Sequence, residues 1–442
     1  MREGGSNSWN VLVGGAGIAA SAACIRLCAL GLRPLVLSAS RPLVRGIEAI
    51  PEAALPLFSE LGMKRVLEEA QAAAVEGFEN HWRGEERAVR KGRWIHVERT
   101  RLAMAAMHEA VRRGATVWTC HSLPALIHEP GAVGIVYQGA QLCFDAAIDA
   151  TGRSAVWSRP VCRHGQQVAD LYAFPAGRSA RGRVVRLQES WGYRLGLGDS
   201  TTAAIIAADG KHRGKPDVHS RRLLGLRSSS SEYLGRRPAF PQWTENPIRG
   251  RRLAVGDAVL AYDPVAGQGI RFALSSAVAA VAVINTLKNS PGEGAAAERF
   301  YGTFIIQARQ KHLQFVRQLW QTESRRPEPV SMPAFVVFRG QTTPAELQIG
   351  SRIVTDEAVQ LDDGACVRWV GGVDLLKVRD LAREPISSSE LAQRLSSKDM
   401  GAQQAAALLA WCVRQGLVTS SSAAEPPGTE EICTSMRTED KE

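Results

Sequence analysis

Cysteine is scarce in this sequence, and its positions do not suit a structural role. Only eight cysteines occur in 442 residues, without a C-x-x-C pair or a Cys/His cluster at zinc spacing. A disulfide framework and a zinc centre are therefore excluded, and we expect no metal site. Widely spaced cysteines favour reduced thiols in the cytoplasm; they are Cys24, Cys28, Cys120, Cys143, Cys162, Cys366, Cys412 and Cys433.

Long hydrophobic runs and an N-terminal targeting segment are also missing. No uncharged apolar run reaches the roughly 18 residues that span a bilayer, and residues 1–10 are polar and rich in Gly and Ser, unlike a signal peptide. Apolar residues nevertheless make up 45% of the chain, including ten Trp, which excludes wholesale disorder. We expect a soluble, cytoplasmic protein of more than one domain, with no membrane partner.

Net charge leaves the partner open. The chain has 54 Lys and Arg against 44 Asp and Glu, a net charge of +10. Such a balance favours an anionic partner, such as nucleic acid, a phosphate-bearing cofactor or an acidic protein. The arginines are spread along the chain, however, which is equally typical of ordinary surface charge.

A strand, a glycine-rich turn and a helix open the chain. An apolar strand over residues 10–13 leads into G-x-G-x-x-A at Gly15, Gly17 and Ala20, and a helix over 18–30 precedes a second strand. This context predicts a dinucleotide site, where the glycines admit a pyrophosphate and the alanine lets helix pack on strand. The second strand ends in Ser38 rather than an acidic residue, so we expect weak cofactor binding.

Several later segments fit the same architecture. Apolar strands lead into Asp149–Arg153 and Gly256–Ala258, and residues 183–209 suit antiparallel strands. Long helices are predicted over 270–287 and 296–320, followed by a hairpin over 352–369 and helices over 387–395 and 403–415, and a strand from Gly416. The pattern predicts an α/β nucleotide-binding domain with antiparallel strands inserted into it.

A segment from Gly256 to Ile270 is the most specific feature. It reads G-D-A, then D-P, then G-Q-G-I before an Ala-rich helix. With Asp149–Arg153 (D-A-T-G-R) and Glu98-Arg99 before a helix, it resembles the class A flavoprotein monooxygenases and flavin-dependent tryptophan halogenases. The resemblance runs in order from residue 10 to about 320; Gly46–Pro51, Leu61–Met63 and Glu189–Tyr193 are similar to the halogenase-like branch.

The resemblance implies a cofactor, FAD, and a role for each motif residue. Arg99 would contact phosphate and Asp257 the ribityl chain. The catalytic segment beside the isoalloxazine would be Pro264, Gly267, Gln268, Gly269 and Ile270, with the last two also binding the cofactor. The implied activity is aromatic hydroxylation through a C4a-hydroperoxyflavin, with O₂ as co-substrate and NAD(P)H or a flavin reductase as external reductant.

The implied fold class is α/β, with three parts. A Rossmann-like FAD-binding domain of the glutathione-reductase type would occupy residues 8–80, 97–160 and 246–290 of a 1–325 core. An antiparallel-sheet substrate domain would take 81–96 and 161–245, and a helix 296–320 would close the core. A linker over 326–345, a winged-helix-like domain over 346–419 and a disordered tail over 420–442 complete the prediction.

The substrate is less well defined than the cofactor. The halogenase motif W-x-W-x-I-P and its catalytic lysine are missing, so halogenation is disfavoured. The sequence resembles the monooxygenases that mature tryptophan-derived quinone cofactors, such as that of quinohemoprotein amine dehydrogenase. This implies hydroxylation of a tryptophan side chain in a precursor polypeptide. Trp191 and Tyr193 either line the substrate cavity or belong to the core.

The C-terminal module is similar to peptide-recognition domains that hold a leader peptide by strand addition. Its last helix carries a single strong cation, Arg414, so we do not expect nucleic-acid binding. The alternative is that the module is a packing appendage without a ligand. Two alternatives therefore stay open: a hydroxylase of a small aromatic metabolite, and a degenerate flavoprotein that serves as a scaffold or DNA-binding regulator.

Overall fold

In the computed structural model, the chain divides into two compact units. The first comprises Met1–Ser324 with Gln348–Val354, and the second Arg325–Leu347 with Thr355–Glu442. The structure describes residues 10–39, 45–82, 88–175, 181–186, 190–198, 200–207, 218–226, 231–320, 331–396 and 400–421. Glu189, Cys433 and residues 422–442 of the predicted tail lie outside these ranges.

The strands follow the chain in this order. They are β1 Val11–Gly14, β2 Pro34–Ala39, β3 Ile47–Pro51, β4 Ala73–His81, β5 Ala88–Glu98, β6 Thr116–Cys120, β7 Ile127–Glu129, β8 Ala132–Tyr137, β9 Ala140–Phe144, β10 Ala146–Asp149, β11 Val161–Arg163, β12 Val168–Pro175, β13 Gly182–Arg186, β14 Ser190–Leu197, β15 Ser200–Ala207, β16 Glu232–Pro238, β17 Gln242–Thr244, β18 Ile248–Arg249, β19 Arg252–Ala254, β20 Leu260–Ala261, β21 Phe335–Phe338, β22 Gln341–Ile349, β23 Arg352–Gln360, β24 Cys366–Val367, β25 Trp369–Val370, β26 Val373–Asp374, β27 Ile386–Ser387 and β28 Val418–Ser420.

The α-helices are fewer and vary in length. They are α1 Ile18–Ala29, α2 Leu55–Glu60, α3 Lys64–Glu69, α4 Arg99–Arg112, α5 Val218–Leu224, α6 Gly269–Asn289, α7 Gly294–Trp320, α8 Leu375–Leu381, α9 Ser388–Leu395 and α10 Ala402–Arg414.

A six-stranded sheet forms the centre of the first unit, in the order β18-β19-β10-β1-β2-β6. Strands β19, β10, β1, β2 and β6 run parallel, and only the edge strand β18 is antiparallel. Strands β1 and β10 are buried along their whole length, as expected for continuous apolar strands of a parallel sheet. The predicted strand–turn–helix–strand and the two later strands are confirmed.

Helices α1, α4, α6 and α7 contribute to one apolar core with this sheet. Gly31 ends α1 as predicted: its positive φ of 73° lets the amides of Gly31 and Leu32 donate back to the carbonyls of Cys28 and Leu27. A second cluster, with Leu12, Leu35 and Ile135, joins the sheet to the antiparallel strands β7, β8 and β9. The seven described cysteines are free thiols.

The inserted antiparallel strands form a second, eight-stranded sheet, in the order β16-β12-β15-β14-β13-β4-β5-β3. Its neighbours are antiparallel except for β13 and β4, which run parallel. The mixed α/β fold with parallel and antiparallel sheets is thus confirmed.

Helix α6 is long and apolar enough to span a membrane by length and composition. Arg271 and Lys288 bracket its uncharged stretch, which is why the run falls short of 18 residues in the sequence. The apolar window is 83% buried within the protein, as in the core helix of a globular domain.

The second unit has its own core, built from α8, α9, α10 and the antiparallel strands β27, β21 and β28. The linker prediction is wrong for residues 335–345. Phe335–Phe338 form β21, because this apolar segment is the central strand of that small sheet and Val336 is fully buried. β22 begins at Gln341 and pairs in a separate sheet with β23. Likewise, Ser420 still belongs to β28. The winged-helix assignment stays a prediction.

Candidate functional site

Three predicted motifs meet at the carboxyl end of the parallel sheet. The amide of Ala150 donates to the carbonyl of Gly14 over 2.9 Å, and the amide of Val255 donates to the carbonyl of Asp149 over 2.9 Å. The turns after β1, β10 and β19 are therefore neighbours. In open α/β sheets, ligands bind in the crevice beyond this edge.

The two glycines of the first turn differ in their surroundings and in their backbone conformation. Gly15 has a φ of +100°, and a Cβ there would lie 2.4 Å from the carbonyl oxygen of Ala150. Gly17, in contrast, is the N-cap of α1, and a Cβ there would meet no atom within 4 Å. Gly15 is required by the fold, whereas Gly17 faces open space at a helix N-terminus.

The remaining predicted residues of this segment lie beside it. Ala20 is fully buried in the helix–sheet core. Ser38 follows Leu37, whose carbonyl accepts the amide of Gly15 over 2.8 Å. Ser38 thus adjoins the glycine turn at the end of β2, where a ribose contact was predicted.

Asp149 and Arg153 organise the second turn. The buried Asp149 carboxylate accepts the amides of Thr151 (3.1 Å) and Trp157 (2.8 Å). Arg153 donates to the carbonyls of Phe240 (2.7 Å) and Tyr262 (3.0 Å). Arg153 therefore ties this turn to the chain just before Asp263.

Asp257 lies in the third turn, a 3-10 helix over Gly256–Ala258. A Cβ at Gly256 would lie 2.9 Å from the Cβ of Ala19 in α1, and the Gly256 amide donates to Oγ of Ser276 over 2.9 Å. The turn is thus held between α1 and α6, directly next to the first glycine turn.

Arg99 joins Asp257 in a charged group. It begins α4, where the Glu98 side chain caps the helix by accepting the amide of Arg101 over 2.8 Å. Its Nε lies 3.3 Å from Oε1 of Glu48, and its side chain is still 48% exposed. The charges of Glu48 and, less strongly, of Asp257 raise the pKa of the Arg99 guanidinium.

Tyr193 adjoins this charged group from the second sheet. Burial, with a smaller contribution from Glu48, raises the pKa of its phenol, while Arg99 opposes the rise. The structure therefore brings together Arg99, Asp257 and Tyr193, which the sequence places far apart.

Residues 263–269, which we call the 263–269 loop, connect the Asp257 region to α6. Asp263 accepts the amide of Val265 over 2.9 Å and so caps a 3-10 helix over Pro264–Ala266. Gly267 has a φ of 59°, and a Cβ at Gly267 or at Gly269 would meet no atom within 4 Å. The glycine-rich half of the loop thus also faces open space.

The side chains that end this loop are only partly enclosed. Gln268 is the N-cap of α6, and its buried Oε1 has no hydrogen-bond partner within the described ranges. Pro264 is exposed, whereas Ile270 is half-buried and packs against the core of the first unit.

Asp263 and His312 of α7 form a buried pair at the start of the loop. The Asp263 amide donates to Nε2 of His312 over 2.9 Å. Burial raises the pKa of the Asp263 carboxyl to about 6. Burial and, to a lesser degree, the charge of Arg153 lower the pKa of His312 to about 4. The imidazole is therefore neutral at pH 7.

An aromatic cluster packs against Val265 of the loop. It contains Trp82, Trp191, Tyr193, Trp320 and Val265, which is itself part of the loop. The indole of Trp82 packs edge-on against those of Trp191 (6.5 Å between centroids) and Trp320 (5.4 Å). Trp191 is only 2% exposed, and Trp191, Tyr193 and Val265 of the loop belong to the same cluster.

Sequence reasoning missed several residues of this site. The sequence gives Glu48 no role, gives Asp263 none beyond its place in the D-P motif, and does not single out Trp82, His312 or Trp320. A lone histidine in a long helix gives no signal of its own, because its partner is a backbone amide 49 residues away. That the predicted residues bind a flavin stays a prediction at this point.

The fold is that of the flavin-dependent halogenases and monooxygenases, so the predicted resemblance is confirmed at this level. Among similar solved structures is the peptidyl tryptophan dihydroxylase QhpG, essential for tryptophylquinone cofactor biogenesis. It superposes with a TM-score of 0.67 at 22% identity, over 93% of this chain and 100% of that one.

Two further structures show the breadth of this fold. The flavin-dependent halogenase CmlS gives a TM-score of 0.68 at 16% identity, over 95% of this chain and 97% of that one. PqsL of P. aeruginosa, solved with 2-aminobenzoylacetate, gives 0.58 at 15% identity, over 71% and 95%. No protein-family model and no curated protein matches the sequence.

Proposed function

We propose that the protein is an FAD-dependent monooxygenase that hydroxylates an aromatic ring. The observation that carries this proposal is the convergence of the glycine turn, Arg99, Asp257 and the 263–269 loop at one edge of the sheet. Open space at Gly17, Gly267 and Gly269 fits an extended cofactor whose pyrophosphate and ring both approach backbone. The half-exposed Arg99 is free on one side for a phosphate.

In this proposal each predicted residue contacts a particular part of the cofactor. Gly15, Gly17 and the N-terminus of α1 would bind the pyrophosphate, Ser38 the ribose and Asp257 the ribityl chain. Pro264 and Gly267–Ile270 would lie against the ring. Bound FAD would supply the oxygen chemistry, since reduced flavin reacts with O₂ and provides an electrophilic oxygen for an electron-rich ring. We expect an external reductant, either NAD(P)H or a flavin reductase.

The chain's own contribution is to position, to exclude water and to stabilise charge. The first amides of α6 follow the loop directly and stabilise negative charge there through the helix dipole. The aromatic cluster around Val265 provides an apolar, water-poor wall. No described side chain needs to act as acid or base in this scheme.

We further propose that the ring is a tryptophan side chain of a precursor polypeptide, modified during tryptophylquinone biogenesis. The tryptophan-rich cluster beside the loop suits an indole, because aromatic rings pack favourably in edge-on and offset geometries. The likeness to QhpG supports this choice of substrate.

The C-terminal unit would serve as the docking module for that polypeptide, in the cytoplasm. It combines three helices with small antiparallel sheets, a composition compatible with a winged-helix-like domain. Strand addition to such a sheet would hold an extended leader segment. We expect neither a membrane nor a nucleic-acid partner.

A small aromatic metabolite is the alternative substrate. The likeness to PqsL, solved with 2-aminobenzoylacetate, favours it. The polypeptide and small-metabolite hypotheses differ in whether turnover requires a polypeptide substrate.

The test begins with FAD titration of the cofactor-free chain, followed by reduced FAD and air with a tryptophan-containing precursor captured from the native cells. We expect intact mass to show the precursor gaining one or two oxygen atoms. Asp257→Ala and Gly267→Leu should abolish FAD binding. Retained oxygenation in both variants contradicts the assigned site, and a precursor that never gains oxygen favours the small-aromatic alternative.

A further inference from the structure

We propose that His312 is a positioning residue that fixes the 263–269 loop by accepting the backbone amide of Asp263. The inference rests on the proposed function only for the identity of the ligand that the loop holds. His312 itself lies in α7, outside every motif that the sequence identifies.

The hydrogen bond requires one protonation state of the imidazole. Nε2 accepts the Asp263 amide over 2.9 Å, so Nε2 carries no proton and the ring is neutral with its proton on Nδ1. Both partners are nearly fully buried, with 4% exposure for His312 and 1% for Asp263. In such surroundings an unpaired amide is costly, so the contact holds the backbone firmly.

A ring stack reinforces this contact. The His312 ring lies parallel to that of Tyr262, with centroids 4.2 Å apart and an angle of 11°. Tyr262 in turn stacks on Phe272 of α6 at 5.0 Å. The Tyr262 carbonyl is held by Arg153 from the opposite turn over 3.0 Å. The chain entering the loop is thus fixed by α6, α7 and the Arg153 turn.

The loop needs such an anchor because its second half is glycine-rich. Ordering each residue costs conformational entropy, and glycine loses the most. Fixing Asp263 shortens the free segment to the residues between it and α6. Helix α7 also brings Leu319 and Trp320 to the aromatic cluster beside Val265. Helix α7 therefore contacts the loop through His312 and also contributes to the aromatic cluster that packs against Val265.

The test is backbone amide exchange of the full, cofactor-free chain, read by mass spectrometry on a peptide covering 259–270. His312→Phe keeps an aromatic ring but removes the acceptor, and His312→Gln offers a carbonyl oxygen in its place. We expect exchange in this peptide about tenfold faster in H312F, with partial recovery in H312Q. Ile305→Ala is the control, since it opens a cavity elsewhere in α7. It should lower the melting temperature and leave loop exchange unchanged.

Wild-type exchange in H312F, or equally fast loop exchange in I305A, would overturn the proposal. Should H312F not fold, H312Q is compared with His312→Leu, which removes both ring and acceptor; equal exchange in the two contradicts the proposal.

FAD titration of the same variants tests FAD binding separately from the fixing of the loop by His312. We expect H312F to bind FAD at least tenfold more weakly, with partial rescue in H312Q. A wild-type chain that binds no FAD refutes the proposed function, while the exchange result still decides the anchor. Unchanged FAD affinity in an H312F chain with fast loop exchange shows that the loop does not hold the cofactor, which overturns the functional half of the inference.

Discussion

The backbone amide of Asp263 donates a 2.9 Å hydrogen bond to Nε2 of His312, and both side chains are buried. Burial disfavours the charged form of each group, so it raises the pKa of the Asp263 carboxyl and lowers the pKa of the His312 imidazole. The Asp263 carboxyl titrates at about 6 and the His312 imidazole at about 4. Both groups therefore favour their neutral forms, and their effects on the pH dependence of stability oppose each other.

Replacing Asp263 by Asn should stabilise the chain at pH 7, with a gain that disappears in acid. The folded carboxyl titrates at about 6 against 3.8 for the ordinary group. The folded state thus binds more protons in that window, and stability falls as pH rises through it. At about 1.4 kcal/mol for each unit, the ionised carboxylate costs up to about 3 kcal/mol at pH 7. Asn keeps an oxygen that can accept the Val265 amide.

Urea unfolding of the wild type and D263N from pH 4 to pH 7 checks this expectation. The difference in unfolding free energy should be largest at pH 7 and near zero at pH 4. A difference that does not change with pH contradicts it.

His312→Phe should show the opposite trend. Wild-type His312 titrates at about 4 when folded, against 6.5 for the ordinary group. The unfolded state therefore binds more protons between pH 6.5 and 4, and the wild type loses up to about 3 kcal/mol as pH falls through this window. The variant lacks that loss, so its deficit relative to wild type should shrink in acid. A deficit that grows in acid would show that the imidazole is not neutral in the folded chain.

The two glycines of the first turn provide a matched pair for testing the cofactor site. Gly17→Ala should leave the fold nearly intact, costing about 1 kcal/mol or less, because its Cβ meets no atom and its backbone is extended at φ −85°. It should nevertheless weaken FAD binding at least tenfold by keeping phosphate away from the helix N-terminus.

Gly15→Ala is the control for damage to the fold. Its Cβ would lie 2.4 Å from the Ala150 carbonyl at a φ of +100°, so we expect both stability and FAD binding to be lost. Melting curves with FAD titration distinguish the two variants. Normal FAD affinity in G17A would remove the glycine turn from the proposed site.

Much of the first unit could be predicted because its signals are local. The glycine turn, Glu98 before α4 and the apolar strands each depend on a few neighbouring residues, and their positions are confirmed within a residue or two. The contacts that build the site are not local. His312 reaches a backbone amide 49 residues away, and Tyr193 on β14 comes near Arg99, which follows β5, only once the eight-stranded sheet has formed. The error at 335–338 has the same origin, since a strand whose partners lie about 50 and 80 residues later resembles a linker.

Residues 348–354 belong to the first unit, which changes how the C-terminal module must be removed. Ile353 is fully buried in the first unit's core, and its amide donates to Oγ1 of Thr286 over 2.9 Å. The amide group of Asn285 donates to the Ser351 carbonyl over 2.8 Å. Ending the chain at residue 340 should therefore destabilise the first unit itself.

Ile353→Ala tests this point with few other changes. We expect a loss of about 2–5 kcal/mol, as for other buried isoleucines. Ile349→Ala, in the same segment but 42% exposed, should cost less than about 1 kcal/mol. Equal unfolding free energies for the two variants contradict this role. Peptide docking is then best tested in chains that retain residues 341–360.

Trp191 and Trp82 differ in the state of the indole N–H. That of Trp82 donates to the Leu319 carbonyl over 3.2 Å, whereas that of Trp191 is buried without a hydrogen-bond partner in the described part of the chain. A buried unpaired donor costs about 1–3 kcal/mol, so Trp191→Phe removes a penalty where Trp82→Phe removes a bond. We expect W191F to be more stable than W82F by about 1–2 kcal/mol.

We also expect W191F to bind FAD normally but to oxygenate a tryptophan-containing polypeptide more slowly, because Trp191 adjoins the loop through Tyr193 and Val265. Unfolding curves, FAD titration and initial rates measure the three properties, and a W191F chain with wild-type rates would assign Trp191 to the core alone.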